Sequence, residues 1–543
     1  MKPTFRKSMI WLHTYAGLFF AWLLFAIFLT GTLSYYNTEI SHWMRAQVNT
    51  NQHVEASAND IQRALHTLSQ RAPEAVQWGI DFADDRGGPM RLRYRTEEER
   101  HSWTVVASPE TGAFVETNPL ATRGGNFFRT FHYTLSLRDF GGRYLTGIAA
   151  MVMLIGVFSG IYTHRRFFQD FFTLRGPDKL KYLKDLHAVF GVVTIPFCFV
   201  ICFSALLIYI SMYVPFSIHH YFDSYRQLDS QVSTRYSRIE PQDDSLAKPA
   251  NIPNMLSQLN AQWGSGYRLD SLSIDYPHRE NARYIFTRDK GKHLSNKSES
   301  IALNYAGERL ESMPKERLAR NIRRIFYGLH EAHFAEPVLR AVLFSLGMMS
   351  SVLIASGVSI WLNKRQGKTQ AKKDIWITKL HVGVTYGLCL AVAGYLLCSR
   401  FVSWQVAKGG SSAAMHTEPA ASMNTNAMSV MDIELSLFLG IWLASVIACI
   451  VLANHLGKRL LFLACTLAFS ALFMQDLLAK QGVLLALQRG DLAYLTISLL
   501  LFLSAAYFAV RFYRLAINKT GAQENDTPRR GNKPQRKHAE ESH

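Results

Sequence analysis

The chain has 543 residues, with 59 Lys+Arg against 41 Asp+Glu and a net charge of +18. Apolar residues make up 48% of it and charged ones 18%, and the mean hydropathy is +0.00. The apolar residues gather into blocks of about 20, which excludes a single soluble globular domain and a disordered chain and reads as helices crossing a lipid bilayer. The positive charge then belongs to loops flanking the membrane, and no nucleic-acid partner is expected.

In chain order, the first apolar block covers 9–36. It follows a basic start (Lys2, Arg6, Lys7) and has no small-residue cleavage site, so it reads as an uncleaved membrane helix. A polar stretch, 37–126, predicts a small α+β unit. It has helical spacing over 61–72, strand-like alternation over 103–107, a turn at Pro109–Gly112 and a second strand at 113–116. Residues 127–164 hold an interfacial segment and a second span at 142–163. A basic loop, 165–185, leads to a third span at 186–214. The next polar stretch, 216–320, repeats the earlier order: a helix over 252–263, strands at 283–287 and 300–304, and a turn at Ala306-Gly307 before Arg309-Leu310. Residues 321–363 bring another interfacial segment and a fourth span at 338–362, followed by a basic loop at 364–375. The region 376–514 carries four further spans at 376–400, 432–453, 458–479 and 488–513, and the polar tail 515–543 is expected to be disordered. With eight spans, the basic 2–3, 4–5 and 6–7 loops and the tail fall on one side. The positive-inside rule makes that side cytoplasmic, with both termini there and the two polar stretches periplasmic.

The first 365 residues read as a duplicated helix–domain–helix unit with both copies running the same way, and the last four helices as an appendix. "WLHTYAGL" opens the first span and "DLHAVFGV" the third, so His13 and His187 each precede a glycine by four residues. His132 and His330 sit in the matching interfacial segments, 27 and 26 residues before Ser159-Gly160 and Ser356-Gly357. A histidine inside a membrane protein is costly and marks a functional site. A pseudo-twofold axis would bring His13 to His187 and His132 to His330. Opposed neutral imidazoles suit the axial positions of a b-type haem. A bare metal is the alternative reading, although Zn or Mn sites want three or four protein ligands. Three further candidates lack support from the repeat. His164 lies beside Arg165-Arg166. His333 follows His330 by three residues and lies on the same helix face, so either could be the ligand. His381 opens the fifth span in "KLHVGVTYG". The six cysteines all lie in apolar blocks; Cys198 and Cys202, at i and i+4, read as small buried side chains. An outward loop at 401–430 holds several methionines, which suits either a linker or Cu(I).

These residues carry a resemblance. The "LH" openings, the units with "SPETGAFVE" and "LNYAGERLE", and the basic ends "SGIYTHRR" and "SGVSIWLNKR" make residues 1–365 similar to the PepSY-associated transmembrane family, nearest within it to the ferric-siderophore reductases of Gram-negative inner membranes. The resemblance implies PepSY-like periplasmic units, two b-type haems with His13, His187, His132 and His330 as axial ligands, and reduction of Fe(III) to Fe(II) in a periplasmic ferric siderophore. The second unit departs from the pattern with "NYAG" where the first has "PETG". Two other functions fit the same sequence: a non-redox sensor or binding module, and a siderophore or metal transporter. The transporter reading suffers from the absence of carboxylates within the first four spans. No nucleotide-binding glycine motif is present, so the electron donor is expected to be a separate cytoplasmic partner or a quinol.

Overall fold

The computed structural model describes residues 4–44, 57–82, 86, 90–97, 100–107, 114–117, 122–164, 179–213, 220, 248–291, 293–311, 318–366, 372–413, 430–479 and 482–524. Among these, eight helices are long and apolar enough to cross a membrane: Phe5–Ser34, Gly142–Thr163, Lys179–Ile208, Pro337–Arg365, Asp374–Arg400, Asp432–Val451, His455–Leu478 and Leu492–Ile517. The chain is a polytopic membrane protein. The spanning elements are α1 (Phe5–Ser34), α5 (Gly142–Thr163), α6 (Lys179–Ile208), α10 (Pro337–Gln366), α11 (Lys372–Ala413), α12 (Val430–Val451), α13 (Asn454–Leu478) and α15 (Leu492–Glu524). Between them lie shorter helices: α2 (Asn37–Met44), α3 (Ala58–Arg71), α4 (Asn126–Thr134), α7 (Ile210–Tyr213), α8 (Ile252–Trp263), α9 (Leu318–Glu331) and α14 (Val483–Arg489). The expected loop 401–430 is shorter than read, since 401–413 continue α11 and Val430 opens α12; 414–429 and the tail 525–543 lie outside the described residues, and α15 continues to Glu524, past the expected start of the tail.

The two polar stretches contribute four strands each: β1 (Gln77–Asp81), β2 (Arg91–Arg95), β3 (Arg100–Ala107) and β4 (Phe114–Thr117), then β5 (Leu269–Asp275), β6 (Arg283–Arg288), β7 (Ser300–Leu303) and β8 (Arg309–Glu311). All eight join one antiparallel sheet in the order β4-β3-β2-β1-β5-β6-β7-β8. The join is β1 against β5, with Gly79 opposite Ser273 and Ile80 opposite Leu272. Two four-stranded edges therefore cover one another, which removes an exposed edge from each.

Alternation sets the faces of this sheet. Leu92, Ile80, Leu272, Phe286 and Ile301 lie on successive strands in register, and each is buried. The helices α3 and α8 cover that row with Ile61, Ala64 and Leu68 and with Ile252, Met255 and Leu259. Both start on a capping side chain: Ser57 accepts from the Asp60 N–H at 3.2 Å and Asn251 from the Asn254 N–H at 3.2 Å. The opposite face is polar and carries the pairs Arg93–Asp81 and Arg283–Asp275. Because one core serves both stretches, Ile80→Ala should cost ~2–5 kcal/mol and lower hydrogen-exchange protection in β5 and β6 as well as in β1 and β2. Loss of protection confined to β1 and β2 would contradict a shared core.

Two paired histidine sites between the first four spans

The first pair lies at the end of the bundle remote from the sheet. His13 on α1 and His187 on α6 have ring centroids 6.5 Å apart and planes at 83°. His13 Nδ1 lies 3.0 Å from the Gly156 carbonyl and 3.1 Å from the Ser159 hydroxyl, both on α5. His187 Nδ1 lies 3.1 Å from the Leu353 carbonyl and 3.0 Å from the Ser356 hydroxyl, both on α10. Each ring is thus held by a carbonyl and by a hydroxyl three residues later. The neighbouring glycines make room for it: a Cβ at Gly160 would sit 3.2 Å from His13 Cε1, and one at Gly357 would sit 3.3 Å from His187 Cε1. The Ser-Gly pairs therefore serve His13 and His187. In the sequence they stood out by their distance from His132 and His330.

The second pair lies toward the sheet. His132 on α4 and His330 on α9 have ring centroids 6.0 Å apart and planes at 37°. His132 Nδ1 donates to the Ile27 carbonyl at 2.8 Å. His330 Nδ1 is 3.1 Å from the Ile201 carbonyl and 2.9 Å from the Ser204 hydroxyl. Both carrier helices end at once on left-handed residues, Leu135 (φ 53°) after α4 and Ala332 (φ 50°) after α9. Their N–H groups close the last turn onto the Phe131 and Gly328 carbonyls, each at 2.7 Å. Burial lowers the pKa of His132. Burial, with the His132 ring next, pushes that of His330 down to about 3. Burial thus disfavours the charged form of both rings.

These hydrogen bonds fix the tautomer. A carbonyl only accepts, so Nδ1 carries the proton in all four rings and the lone pair sits on Nε2. Among the described residues no hydrogen bond engages any of the four Nε2 atoms. A metal ion held between two imidazoles lies about 2.0 Å from each nitrogen, and each nitrogen lies about 1.2 Å from its ring centroid, so the centroids would be about 6.4 Å apart. The observed 6.5 and 6.0 Å fit that spacing. A bare metal site has less support, since no group of three or more His, Cys, Asp or Glu suited to a metal occurs among the described residues.

The carbonyls that hold His132 and His330 lie fourteen residues after His13 and His187 on α1 and α6. At 1.5 Å per residue the two levels are about 21 Å apart along the helices, most of a bilayer's apolar thickness. A cavity of about 850 Å³ opens at the sheet-side level, lined by both histidines and by Phe28, Gly31, Phe197 and Ile201. That volume is ample for a cofactor. Its polar wall includes Arg129, Arg143 and Arg323. Arg129 pairs with Glu331 at 2.6 Å, and Arg323 donates to the Ile208 carbonyl at 3.0 Å. Arg143 stands over the Tyr133 ring, and its buried Nε has no hydrogen-bond partner among the described residues.

The other three candidates are placed differently. His381 on α11 has both nitrogens engaged, one accepting from Trp22 Nε1 at 3.3 Å and the other 3.2 Å from the Ser359 hydroxyl. It joins the appendix to α1 and α10 and has no nitrogen left for a ligand. His164 caps α5, its N–H donating to the Gly160 carbonyl at 3.1 Å, and lies within electrostatic range of His187. His333 falls beyond the left-handed Ala332, so the same-face relation to His330 does not hold. It lines the cavity, and its ring packs against Phe334.

Sequence reasoning missed a polar cluster that docks the appendix. Asp476 on α13 accepts from Trp43 Nε1 at 2.7 Å, from the Tyr494 hydroxyl at 2.6 Å and from the Ser498 hydroxyl, and pairs with Arg400 at 2.8 Å. A carboxylate within an apolar block was the available signal. Glu39 was missed too, although it follows the first span directly. It is buried between Arg86 and Arg340 and ties α2 to α10.

Eight spans, one eight-stranded sheet and two histidine pairs at different depths describe a polytopic membrane protein. The chain belongs to the PepSY-associated TM region family, whose sequence pattern matches residues 10–364. No curated protein matches it.

Proposed function

We propose that this protein is a two-haem electron carrier of the bacterial inner membrane that reduces Fe(III) in periplasmic ferric siderophores. The observation that carries the reading is the tautomer: four Nδ1–H groups bonded to carbonyls leave four Nε2 lone pairs, on rings paired with centroids at the spacing expected of a doubly ligated iron. A b-type haem at each level supplies one-electron chemistry between Fe(III) and Fe(II).

The protein's own residues do the rest. His13 and His187 hold the cytoplasmic-side group and His132 and His330 the periplasmic one. The carbonyls of Gly156, Leu353, Ile27 and Ile201 keep the imidazoles oriented and raise their basicity. Phe28 and Phe197 keep the inner cavity wall apolar. The unpartnered Arg143 Nε is suited to a propionate, and the cationic wall favours an anionic ferric chelate at the mouth. With the basic loops cytoplasmic by the positive-inside rule, the first level would receive electrons from a cytoplasmic or quinol donor. The eight-stranded sheet is a duplicated PepSY-like pair, and the first four spans are its parallel repeats.

The test is a reduced-minus-oxidised spectrum of the purified protein with haem counted per chain, expected to give two. Absence of a reducible haem spectrum would end this reading. A narrower test uses Gly31, where an added Cβ would lie 2.6 Å from His132 Nδ1. Gly31→Ala keeps every ligand but pushes the His132 ring away from the Ile27 carbonyl. Haem retention at the periplasmic level should weaken about 10–100-fold, as for other losses of orienting contacts. Retention equal to wild type in a haem-titration assay would show that the ring position does not govern binding.

A further inference from the structure

Buried arginines in this protein have acidic partners: Arg400 has Asp476, Arg340 has Glu39, and Arg283 has Asp275. Two half-buried cations at one end of the bundle are arranged differently. Lys458 near the start of α13 and Arg511 on α15 both stand over the Phe462 ring, with Nζ 5.9 Å and Cζ 5.7 Å from its centroid. Phe462 is fully buried, and the Arg511 Nε is buried without a hydrogen-bond partner among the described residues. Neither cation has an acidic partner among them. Lys179, the first residue of α6, is a third cation within electrostatic range of Lys458. The adjacent Arg459 shows the ordinary alternative, donating to the Leu515 carbonyl.

Two half-buried like charges near one ring repel each other, and an anion bound by both would relieve that repulsion. By alternation of the spans, the cluster is at the end of the bundle remote from the sheet, where lipid headgroups begin. Leu456 and Leu460 on α13 and Tyr513 on α15, each two residues from one of the cations, are exposed and turn apolar surface outward at the same level. We propose that Lys458 and Arg511 form a binding site for the phosphate of an anionic phospholipid, seated between the ends of α13 and α15. A headgroup phosphate would accept from both cations, with its acyl chains in the surrounding bilayer.

The test compares wild-type protein with Lys458→Gln, Arg511→Gln and the double variant. Each is reconstituted in phosphatidylcholine nanodiscs with and without phosphatidylglycerol, extracted, and its retained lipid counted by native mass spectrometry. Phosphatidylglycerol retention should fall about fivefold for each charge removed. Arg511→Lys should retain most of it, and Lys7→Gln, a basic residue at the same end, should match wild type. Equal retention by the double variant and wild type would overturn the site. A second readout is the unfolding midpoint in detergent, which phosphatidylglycerol should raise for wild type and not for the double variant. Inorganic phosphate raising it while phosphatidylglycerol does not would overturn the lipid assignment in favour of a soluble anion.

Discussion

His330→Ala should cut the haem content from two per chain to one, and His132→Ala should do the same. The two rings face each other at 6.0 Å, so under the proposed function each variant removes one ligand of the same iron. The double variant His132→Ala/His330→Ala should then lose no more haem than either single one. His13→Ala and His187→Ala should behave as a second such couple, leaving the periplasmic haem in place, because the levels are about 21 Å apart along the helices. Substitute ligands are scarce. Both His381 nitrogens are engaged by Trp22 and Ser359. His333 is the third histidine lining the same cavity, and with His330 as the ligand His333→Ala should keep two haems. Pyridine haemochrome counts on these variants decide the matter. Retention of two haems by His330→Ala and of one by His330→Ala/His333→Ala would move the ligand to His333. Loss of one haem by pairs other than these would refute the opposition of the rings as the binding principle.

Much of this was legible in the sequence because the bilayer makes strong demands. A helix crossing apolar lipid needs an uninterrupted apolar run, so all eight spans could be read, seven within four residues at each end and the third displaced by six to seven. The helix 252–263 was read at its observed limits, helped by the Asn251 cap and Pro253. The four histidines could be paired because equivalent local words surround them. What could not be read was anything set by contact across the chain. Strands β1, β2 and β5 went unseen, and so did the join between β1 and β5. The run Gln77–Asp81 holds Gly79 and only two large apolar residues, too few to announce a strand. The role of the Ser-Gly words was likewise hidden. Ser159 serves a histidine 146 residues away, and proximity along the chain pointed to His132 instead. The freedom of each Nε2 could only emerge from the positions of the carbonyls.

Asp476→Ala should be the most damaging single change in the appendix. The carboxylate is fully buried and holds α2, α11 and α15 to α13 through Trp43, Arg400, Tyr494 and Ser498. Arg400 is nearly as buried, stands 4.3 Å over the Trp43 ring and donates to the Trp43 carbonyl at 3.1 Å. Removing the acid leaves that guanidinium without its counter-charge in a place water does not reach, at a cost of ~3–5 kcal/mol. Arg400→Met/Asp476→Leu removes both charges and fills similar volume, so most of the stability should return. Thermal unfolding of the purified protein in detergent measures both. The haem count separates two roles for the cluster. The histidine pairs and their carbonyls lie entirely on α1, α4, α5, α6, α9 and α10, so Asp476→Ala should lower the unfolding midpoint and still bind two haems. Loss of haem along with the midpoint would mean that the appendix clamps α1 in the position the pairs require. The Trp22–His381–Ser359 link would then be the path of that clamp, since Ser359 is three residues from the serine that holds His187.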